Sequence, residues 1–198
     1  MRLPPIPNRQ QRVKTMKHQS VSDLEVGLEE ILRSPKNNGV VEMIVRRPGV
    51  DKREVLEQGE LDIAEGLIGD SWRIRGRTRM PDGSAHPEIQ LTIMNSRVVA
   101  LVATTKERWP LAGDQLYVDL DLSKDNLPPG TLLELGTAVV EVSSVPHTGC
   151  KKFVERFGLD AMTFVNSRRG KMLGLRGINA KVVKSGGVCT KDIAKKVS

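Results

Sequence analysis

The sequence predicts a mainly β domain, a β-barrel or a compact β-rich domain, with a few short helices and one N-terminal helix. Three observations lead to this fold class. Short apolar runs alternate with polar residues at a period of two, turn residues separate these runs, and few segments show helical spacing. The chain has 198 residues, of which 38% are hydrophobic and 18 are glycine, so one domain can bury a core.

A basic arm and a helix are predicted ahead of the strands. Residues 1–19 contain five lysines and arginines, three prolines and no acid, so we expect a flexible basic arm. Residues 20–39 are expected to form a helical extension, because Ser22 and Glu25 have capping-box spacing and Pro35 ends the helical pattern. Four apolar residues share one face of this helix: Leu24, Leu28, Ile31 and Leu32.

The strands of the predicted barrel domain lie in residues 40–188. Glycine at position 136 and threonine at 137 join two of them as a hairpin. Apolar runs and period-two alternation place the strands at 40–45, 88–94, 116–122, 131–135, 138–142 and 180–183.

Three further segments complete the domain plan. The apolar run at 97–103 fits a helix or a strand equally well. Residues 151–157 predict a short helix with Gly158 in the C-cap position. Residues 189–198 are interpreted as a basic C-terminal tail outside the barrel domain.

The net charge of +7 is concentrated at the two ends of the chain. Residues 1–19 carry +5 and residues 166–198 carry +8, so the remainder is mildly acidic. Solvated termini explain this pattern better than a nucleic-acid groove. Only six aromatic residues are present for base stacking, so we do not expect nucleic acid as a partner.

Neither a membrane segment nor a disulfide framework is predicted. The longest apolar run, residues 98–103, is six residues long, whereas a membrane-spanning helix needs about 20. The two cysteines, Cys150 and Cys189, are too few for a disulfide framework or a zinc site. Reduced thiols, a cytoplasmic location and no membrane partner are therefore expected.

Cys150 is the leading candidate for chemistry. It follows the loop PHTG (146–149) and precedes Lys151 and Lys152 at the predicted start of a helix. The helix dipole, the two lysines and a charged His147 would each favour the thiolate, which attacks, binds a soft metal or carries a persulfide. His147 fits a general base or a proton donor, and fits equally a loop residue that bonds the backbone.

Arginines recur with a period of two between residues 73 and 79. In an extended segment their guanidiniums would share one face and bind a phosphate, and a loop of solvated arginines is the alternative. Four clustered aspartates are interpreted as solvent-side strand and turn residues, namely Asp114, Asp119, Asp121 and Asp125.

Seven segments, taken in order, match one family. They are GLIGDSWR (66–73), IQLTIMN (89–95), LAGD (111–114), DNL (125–127), GTLLELG (130–136), VPHTGC (145–150) and GLRGINAKV (174–182). On these segments the chain resembles the C-terminal domain of molybdenum cofactor sulfurases, the MOSC family, in its stand-alone form.

The resemblance implies a mostly β, barrel-like fold, and it implies a role for Cys150. This residue matches the family's cysteine, which is proposed to carry sulfur or to ligate molybdenum. A molybdopterin cofactor is therefore expected, with its phosphate in a cationic pocket. The expected cofactor-binding residues are Arg73, Arg75, Asn95, Asn126 and Arg176.

The resemblance also implies partners. Full-length sulfurases carry a pyridoxal-phosphate desulfurase domain, for which 198 residues leave no room. We therefore expect a separate cysteine desulfurase or other sulfur donor, and an acceptor protein or cofactor.

Three functions follow from these features. The first is a sulfur (persulfide) carrier or a molybdenum-cofactor-binding protein that acts through Cys150. The second is a small-molecule detoxifying or reductive enzyme, with Cys150 as nucleophile or metal ligand and His147 as acid. The third is a non-catalytic nucleic-acid- or protein-binding module that uses the basic termini. Whether the chain is an enzyme stays open at this stage.

Overall fold

The computed structural model describes residues 18–75 and 79–197. Most of the predicted arm, residues 1–17, lies outside these ranges. The strands are β1 (Gly39–Arg46), β2 (Glu54–Leu56), β3 (Gln58–Asp62), β4 (Gly66–Leu67), β5 (Leu91–Asn95), β6 (Leu116–Asp119), β7 (Leu132–Leu135), β8 (Ala138–Val142), β9 (Ile178–Lys184), β10 (Gly186–Cys189) and β11 (Ile193–Lys196).

The helices lie between these strands. Two short 3₁₀ helices span Pro87–Ile89 and Lys106–Ala112. The α-helices are α1 (Val21–Leu32), α2 (Trp72–Arg75), α3 (Ser96–Ala103), α4 (Lys151–Asn166) and α5 (Arg168–Met172). Among the described residues, no helix is both long enough and apolar enough to cross a bilayer.

Seven strands close into a barrel, which confirms the predicted fold class. Their order around the barrel is β1, β6, β5, β9, β8, β7 and β11, and β11 pairs back onto β1. Strand β2 extends the sheet from β1, and β10, β3 and β4 form a small second sheet. All the pairings in the barrel are antiparallel except that of β5 with β6.

Alternation along the strands fills the barrel with apolar side chains. The predicted hairpin is confirmed as β7 and β8, in which Leu133 pairs with Val140 and Leu135 pairs with Ala138. All four of these residues are buried in the interior cluster. Because side chains in a strand alternate between faces, this period-two pattern identifies the inward positions.

The ambiguous run at 97–103 is helical, as α3. Asn95 at the end of β5 caps this helix, since its side-chain oxygen accepts hydrogen bonds from the N–H groups of Arg97 (2.8 Å) and Val98 (3.3 Å). Parallel strands need a crossover between them. The segment containing α3 and the second 3₁₀ helix supplies that crossover from β5 to β6.

A second core lies outside the barrel, between its wall and the helices. Met43 and Val45 of β1 point outward here, whereas Ile44 between them faces the barrel interior. Helices α1, α3 and α4 cover this outer face with their apolar stripes, and Tyr117 of β6 is buried among them. The start of α4, which follows Cys150, is thus anchored to the barrel wall.

The predicted boundaries of the first helix need correction. The capping box is formed by Ser20 and Asp23 rather than by Ser22 and Glu25, because the helix already begins at Val21. Leu32 lies at the helix end and is 52% exposed, while the other three apolar residues are buried. Residues 20–39 are not a separate extension, since α1 packs on α3 and α4 within one core.

The predicted C-terminal tail is part of the barrel. In residues 189–198, β11 lies between β7 and β1 and closes the ring of strands. Its inward residue Ala194 is fully buried. The segment is short and lysine-rich, and Ala194 is the one apolar side chain of β11 that faces the core, so the strand was not predicted.

Two other elements differ in length from the prediction. Strand β6 ends at Asp119, before the residues at 120–122 that continue its alternation. Gly158 ends the first part of α4 with a positive φ of 90°, as a C-cap glycine would, and the chain then resumes a helix to Asn166.

Closure by β11 predicts that a charge at Ala194 destabilises the barrel. We expect Ala194→Asp to lower the free energy of unfolding by about 3 kcal/mol or more, because it places an unpaired carboxylate in the apolar interior. Urea denaturation measures this change. Lys195→Gln, at the exposed neighbouring position, is the control and should shift stability by less than about 0.5 kcal/mol. Equal stability of the two variants would contradict closure by this strand.

Candidate functional site

Cys150 occupies the N-cap of α4, with extended backbone angles (φ −124°, ψ 177°). Its carbonyl oxygen accepts hydrogen bonds from the N–H groups of Phe153 (2.8 Å) and Val154 (3.3 Å), which fixes the backbone. Its side chain is exposed. The structure therefore places the thiol at the helix start that the loop PHTG predicts.

The preceding Gly149 packs closely against the far end of α4. Its N–H donates to Oδ1 of Asn166 (3.0 Å), so the loop is tied to the far end of α4. A Cβ at this position would lie 2.5 Å from the sulfur of Met162, which real Cβ atoms do not approach. A larger residue before the cysteine would require the Met162 side chain to move.

His147 points into the protein rather than toward the thiol side. Its side chain is 14% exposed, and its Nδ1 lies 3.5 Å from Oδ1 of Asp114. Burial, followed by the nearby guanidiniums of Arg176 and Arg47, holds the pKa of His147 well below its ordinary value. The imidazole is therefore neutral at pH 7 and does not hold the proton that a general acid would donate.

Asp114 and Arg176 form a buried ion pair beneath this loop. Nη1 of Arg176 lies 3.0 and 2.8 Å from the two carboxylate oxygens, and Nη2 donates to the carbonyl of Ala112 (3.0 Å). The guanidinium also lies 5.0 Å from the centre of the Phe153 ring. Burial raises the pKa of Asp114, and Arg176 opposes that change. The interpretation of Asp114 as a solvent-side residue is wrong, because its side chain is fully buried.

A second buried ion pair contacts the turn at residues 112–114, which Arg176 also binds. Arg47 binds both carboxylate oxygens of Asp70, through Nε (2.8 Å) and Nη2 (3.0 Å). Its Nη1 donates to the carbonyl of Gly113 (2.6 Å). Sequence reasoning did not single out Arg47 or Asp70. The only signal was the position of Arg47 at the end of a strand, before Pro48 and Gly49.

The arginine segment is not an extended face. Residues 72–75 form the helical turn α2, which begins where Oδ1 of Asp70 accepts the N–H of Trp72 (2.9 Å). Residues two positions apart in a helix do not share a face, as they would in a strand. The side chain of Arg75 and all of residue 77 lie outside the described part of the chain.

Arg73 is the accessible member of the expected cofactor-binding set. Its side chain is 53% exposed and pairs with Glu65. Together with Arg79 it lines a shallow cleft of about 430 Å³. Arg79 directs its guanidinium to the carbonyls of Arg73 (3.1 Å), Ile74 (2.8 Å) and Gly83 (3.1 Å).

Asn95 and Asn126 are engaged elsewhere. The amide of Asn95 donates to Ser34 (2.8 Å) and to the carbonyl of Leu120 (2.7 Å), while its oxygen caps α3. The amide of Asn126 donates to the carbonyls of Lys36 (2.9 Å) and Asp121 (2.7 Å). Asn95 and Asn126 bind the residues just after the end of β6, Leu120 and Asp121. Asp114, the partner of Arg176, lies just before the start of β6.

The expected molybdopterin set therefore does not fit as a single site. Asn95 and Asn126 use both amide hydrogens within the protein. Arg176 spends Nη1 and Nη2 on Asp114 and Ala112, and its buried Nε has no hydrogen-bond partner among the described residues. Arg73 lines a different cleft, and Cys150 is left as the exposed soft ligand. In the described residues, no three histidine, cysteine or acidic side chains are grouped to hold a metal ion.

Comparison with known proteins gives a fold and no family. No family model and no curated protein matches the sequence. Among solved structures, YuaD from Bacillus subtilis superimposes with a TM-score of 0.56 and 17% identity over 80% of this chain and 95% of that one. YiiM from Escherichia coli, a MOSC-domain protein, superimposes with a TM-score of 0.50 and 20% identity over 80% and 70%. The chain shares the fold of these proteins.

A further crystal structure, that of a hypothetical protein, also matches this chain. Its TM-score is 0.55, with 19% identity over 84% of this chain and 71% of that one. At such identities the comparisons establish a shared fold. They support the resemblance through the closed seven-stranded barrel, which is consistent with the MOSC fold.

A structural role and a ligand-binding role of Arg176 predict different effects of its removal on stability. We expect Arg176→Ala to lower the free energy of unfolding by about 3–5 kcal/mol, because it leaves Asp114 buried without its partner. The control Arg73→Ala removes an exposed ion pair and should cost less than about 1 kcal/mol. Thermal and urea denaturation measure both. A small effect of Arg176→Ala would contradict the structural role.

The buried neutral His147 predicts a pH dependence of stability. The unfolded chain takes up a proton near pH 6.5 while the folded chain does not, so folding loses stability as the pH falls below 6.5. The slope is at most about 1.4 kcal/mol per pH unit. His147→Gln should remove this part of the slope, measured by urea denaturation from pH 7.5 to 5. The exposed His18→Gln is the control, and identical slopes for both variants would contradict burial of a neutral imidazole.

Proposed function

We propose that this MOSC-like protein carries sulfane sulfur as a persulfide on Cys150. The observation that carries the proposal is the combination of an exposed thiol and a fixed backbone. The thiol of Cys150 lies at the surface. The backbone carbonyl of Cys150 accepts the first hydrogen bonds of α4, and the preceding loop packs against Met162 and Asn166. A carrier must present one sulfur to two successive partners without being enclosed.

The transfer step conserves electrons. The Cys150 thiolate attacks the terminal sulfur of a donor persulfide, the donor's S–S bond breaks, and the donor leaves as a thiolate with the bonding electron pair. Cys150 then holds the persulfide. In the second step a nucleophile of the acceptor attacks the outer sulfur, and the Cys150 thiolate is released.

The geometry favours a carrier over the alternative of a detoxifying enzyme. That enzyme would use His147 as its acid, but the imidazole is buried beside Asp114 and neutral. Persulfide transfer between thiolates needs no proton from the protein at the transfer step. The donor and acceptor are expected to be separate molecules, such as a cysteine desulfurase and a protein or cofactor that receives the sulfur.

For molybdenum-cofactor binding, we keep only the part of the hypothesis in which Cys150 ligates the metal. The chain's own Cys150 is the residue left to ligate molybdenum, since three of the other expected residues are held in structural contacts. This narrower proposal involves no pterin-binding set around the thiol. It predicts that the cofactor would be brought by a partner that supplies the rest of its binding site.

Sulfur loading tests the carrier proposal. After incubation with inorganic polysulfide and removal of excess reagent, the wild-type protein should hold about one cyanide-labile sulfur per chain on Cys150. Cys150→Ser should hold none. The matched control is Cys189→Ser, because Cys189 is also exposed but lies at the end of β10. Equal loading of the two variants, measured by thiocyanate formation and intact mass, would overturn the proposal.

A further inference from the structure

The carboxylate of Asp51, in the loop that follows β1, forms ion pairs with two cationic side chains of α4. Oδ1 of Asp51 lies 2.9 Å from Nζ of Lys152 and 2.9 Å from Nη2 of Arg156. Both cations are on the same side of the helix, because they are four residues apart. The position is superficial, since the Asp51 side chain is 59% exposed and that of Lys152 is 49% exposed.

More positive charge converges here than Asp51 neutralises. Arg53 is partly buried nearby and spends its hydrogen bonds on the carbonyls of Pro110 (3.1 Å) and Lys52 (2.6 Å). Burial, followed by repulsion from Arg156 and Arg47, lowers the pKa of Arg53, which reflects this crowding of guanidiniums. Like charges held together in this way favour an added anion.

Asp51 is weakly held in this position. Exposed ion pairs contribute little to stability, so another carboxylate can compete for the same two cations. The backbone of Asp51 is left-handed, with φ of 56°, a conformation that aspartate and asparagine both tolerate. A carboxylate from outside can therefore replace it without breaking any core contact.

The cations lie on the first two turns of the helix that begins after Cys150. Lys152 is two residues after Cys150, and Arg156 is six residues after it, which corresponds to about 9 Å of helical rise. An extended tripeptide spans about 10 Å. A compound of this size can place a sulfur at Cys150 while its carboxylate reaches the two cations.

We propose that Lys152, Arg156 and Arg53 form a subsite for the carboxylate of a small thiol or persulfide that exchanges sulfur with Cys150, and that Asp51 is its displaceable internal occupant. The proposal rests on the proposed carrier function for its biological meaning. The subsite itself is a property of the surface and can be measured without persulfide.

The test compares an anionic and a neutral disulfide reagent in a Cys189→Ser background. The dicarboxylate reagent 5,5′-dithiobis(2-nitrobenzoate) and the uncharged 4,4′-dithiodipyridine both react with Cys150 by thiol–disulfide exchange. The ratio of their rate constants removes changes in the intrinsic reactivity of the thiol. It therefore reports on the charge that the anionic reagent meets near the thiol.

Removal of a cation and removal of the Asp51 carboxylate should change the ratio of the two rate constants in opposite directions. Lys152→Gln should lower it about twofold to fivefold, the range for one exposed charge pair. Asp51→Asn should raise it by a similar factor, because asparagine tolerates the left-handed backbone and leaves both cations free. Arg156→Gln should lower the ratio as well, and its thermal stability is checked because Nη1 of Arg156 also binds the carbonyl of Leu111.

Lys151→Gln is the matched control, since Lys151 is closer in sequence to Cys150 but does not contact Asp51. A specific subsite requires its effect to be clearly smaller than that of Lys152→Gln. Equal effects of the two lysine variants, or no change in Asp51→Asn, would overturn the proposal in favour of general surface charge.

Competition distinguishes the source of the carboxylate. At constant ionic strength, succinate should slow the reaction with the anionic reagent, as expected for a small-molecule subsite. Competition by an acidic decapeptide alone would overturn the small-molecule assignment and indicate a protein partner. If polysulfide loading of Cys150 fails while the rate ratios behave as expected, the subsite stands and the carrier function does not.

Discussion

The buried ion pair between Arg176 and Asp114 is the contact on which the candidate site depends. It joins the segment that leads into β9 to the turn that leads into β6, and His147 of the cysteine loop lies against the same carboxylate. Because both charges are removed from water, the pair tolerates little displacement. The loop that ends at Cys150 is therefore set on a rigid base, although its thiol is exposed.

Two opposite electrostatic environments meet at this loop. Below it, guanidiniums and carboxylates are buried and paired in both the Arg176–Asp114 and Arg47–Asp70 contacts. Above it, Lys152 and Asp51 are exposed to solvent and weakly held. Charges in the first environment maintain the fold, and charges in the second are available to an incoming ligand. This division explains why Arg176, an arginine in a family-matching segment, need not be a ligand-binding residue.

The assignment of motif residues to a pocket is the part of the sequence analysis that the structure changed most. Asn95 serves as a helix cap, and Asn126 ties together the backbone of two loops. Both are polar residues at turns, and such residues fit either a ligand or the local backbone. Some of their partners, namely Ser34, Leu120 and Lys36, come from distant parts of the chain, so the sequence spacing does not distinguish the two roles.

The sequence by itself determined the barrel class, the β7–β8 hairpin and the position of Cys150 at a helix start. These features depend on neighbours along the chain: alternation within a strand, glycine in a turn, and a loop that leads into a helix. Only the tertiary structure decided that β11 closes the barrel and that Asp114 is buried against Arg176, 62 residues away. Strand pairing and burial are set by residues that are remote in sequence, and a lysine-rich strand or a turn aspartate carries no local sign of them.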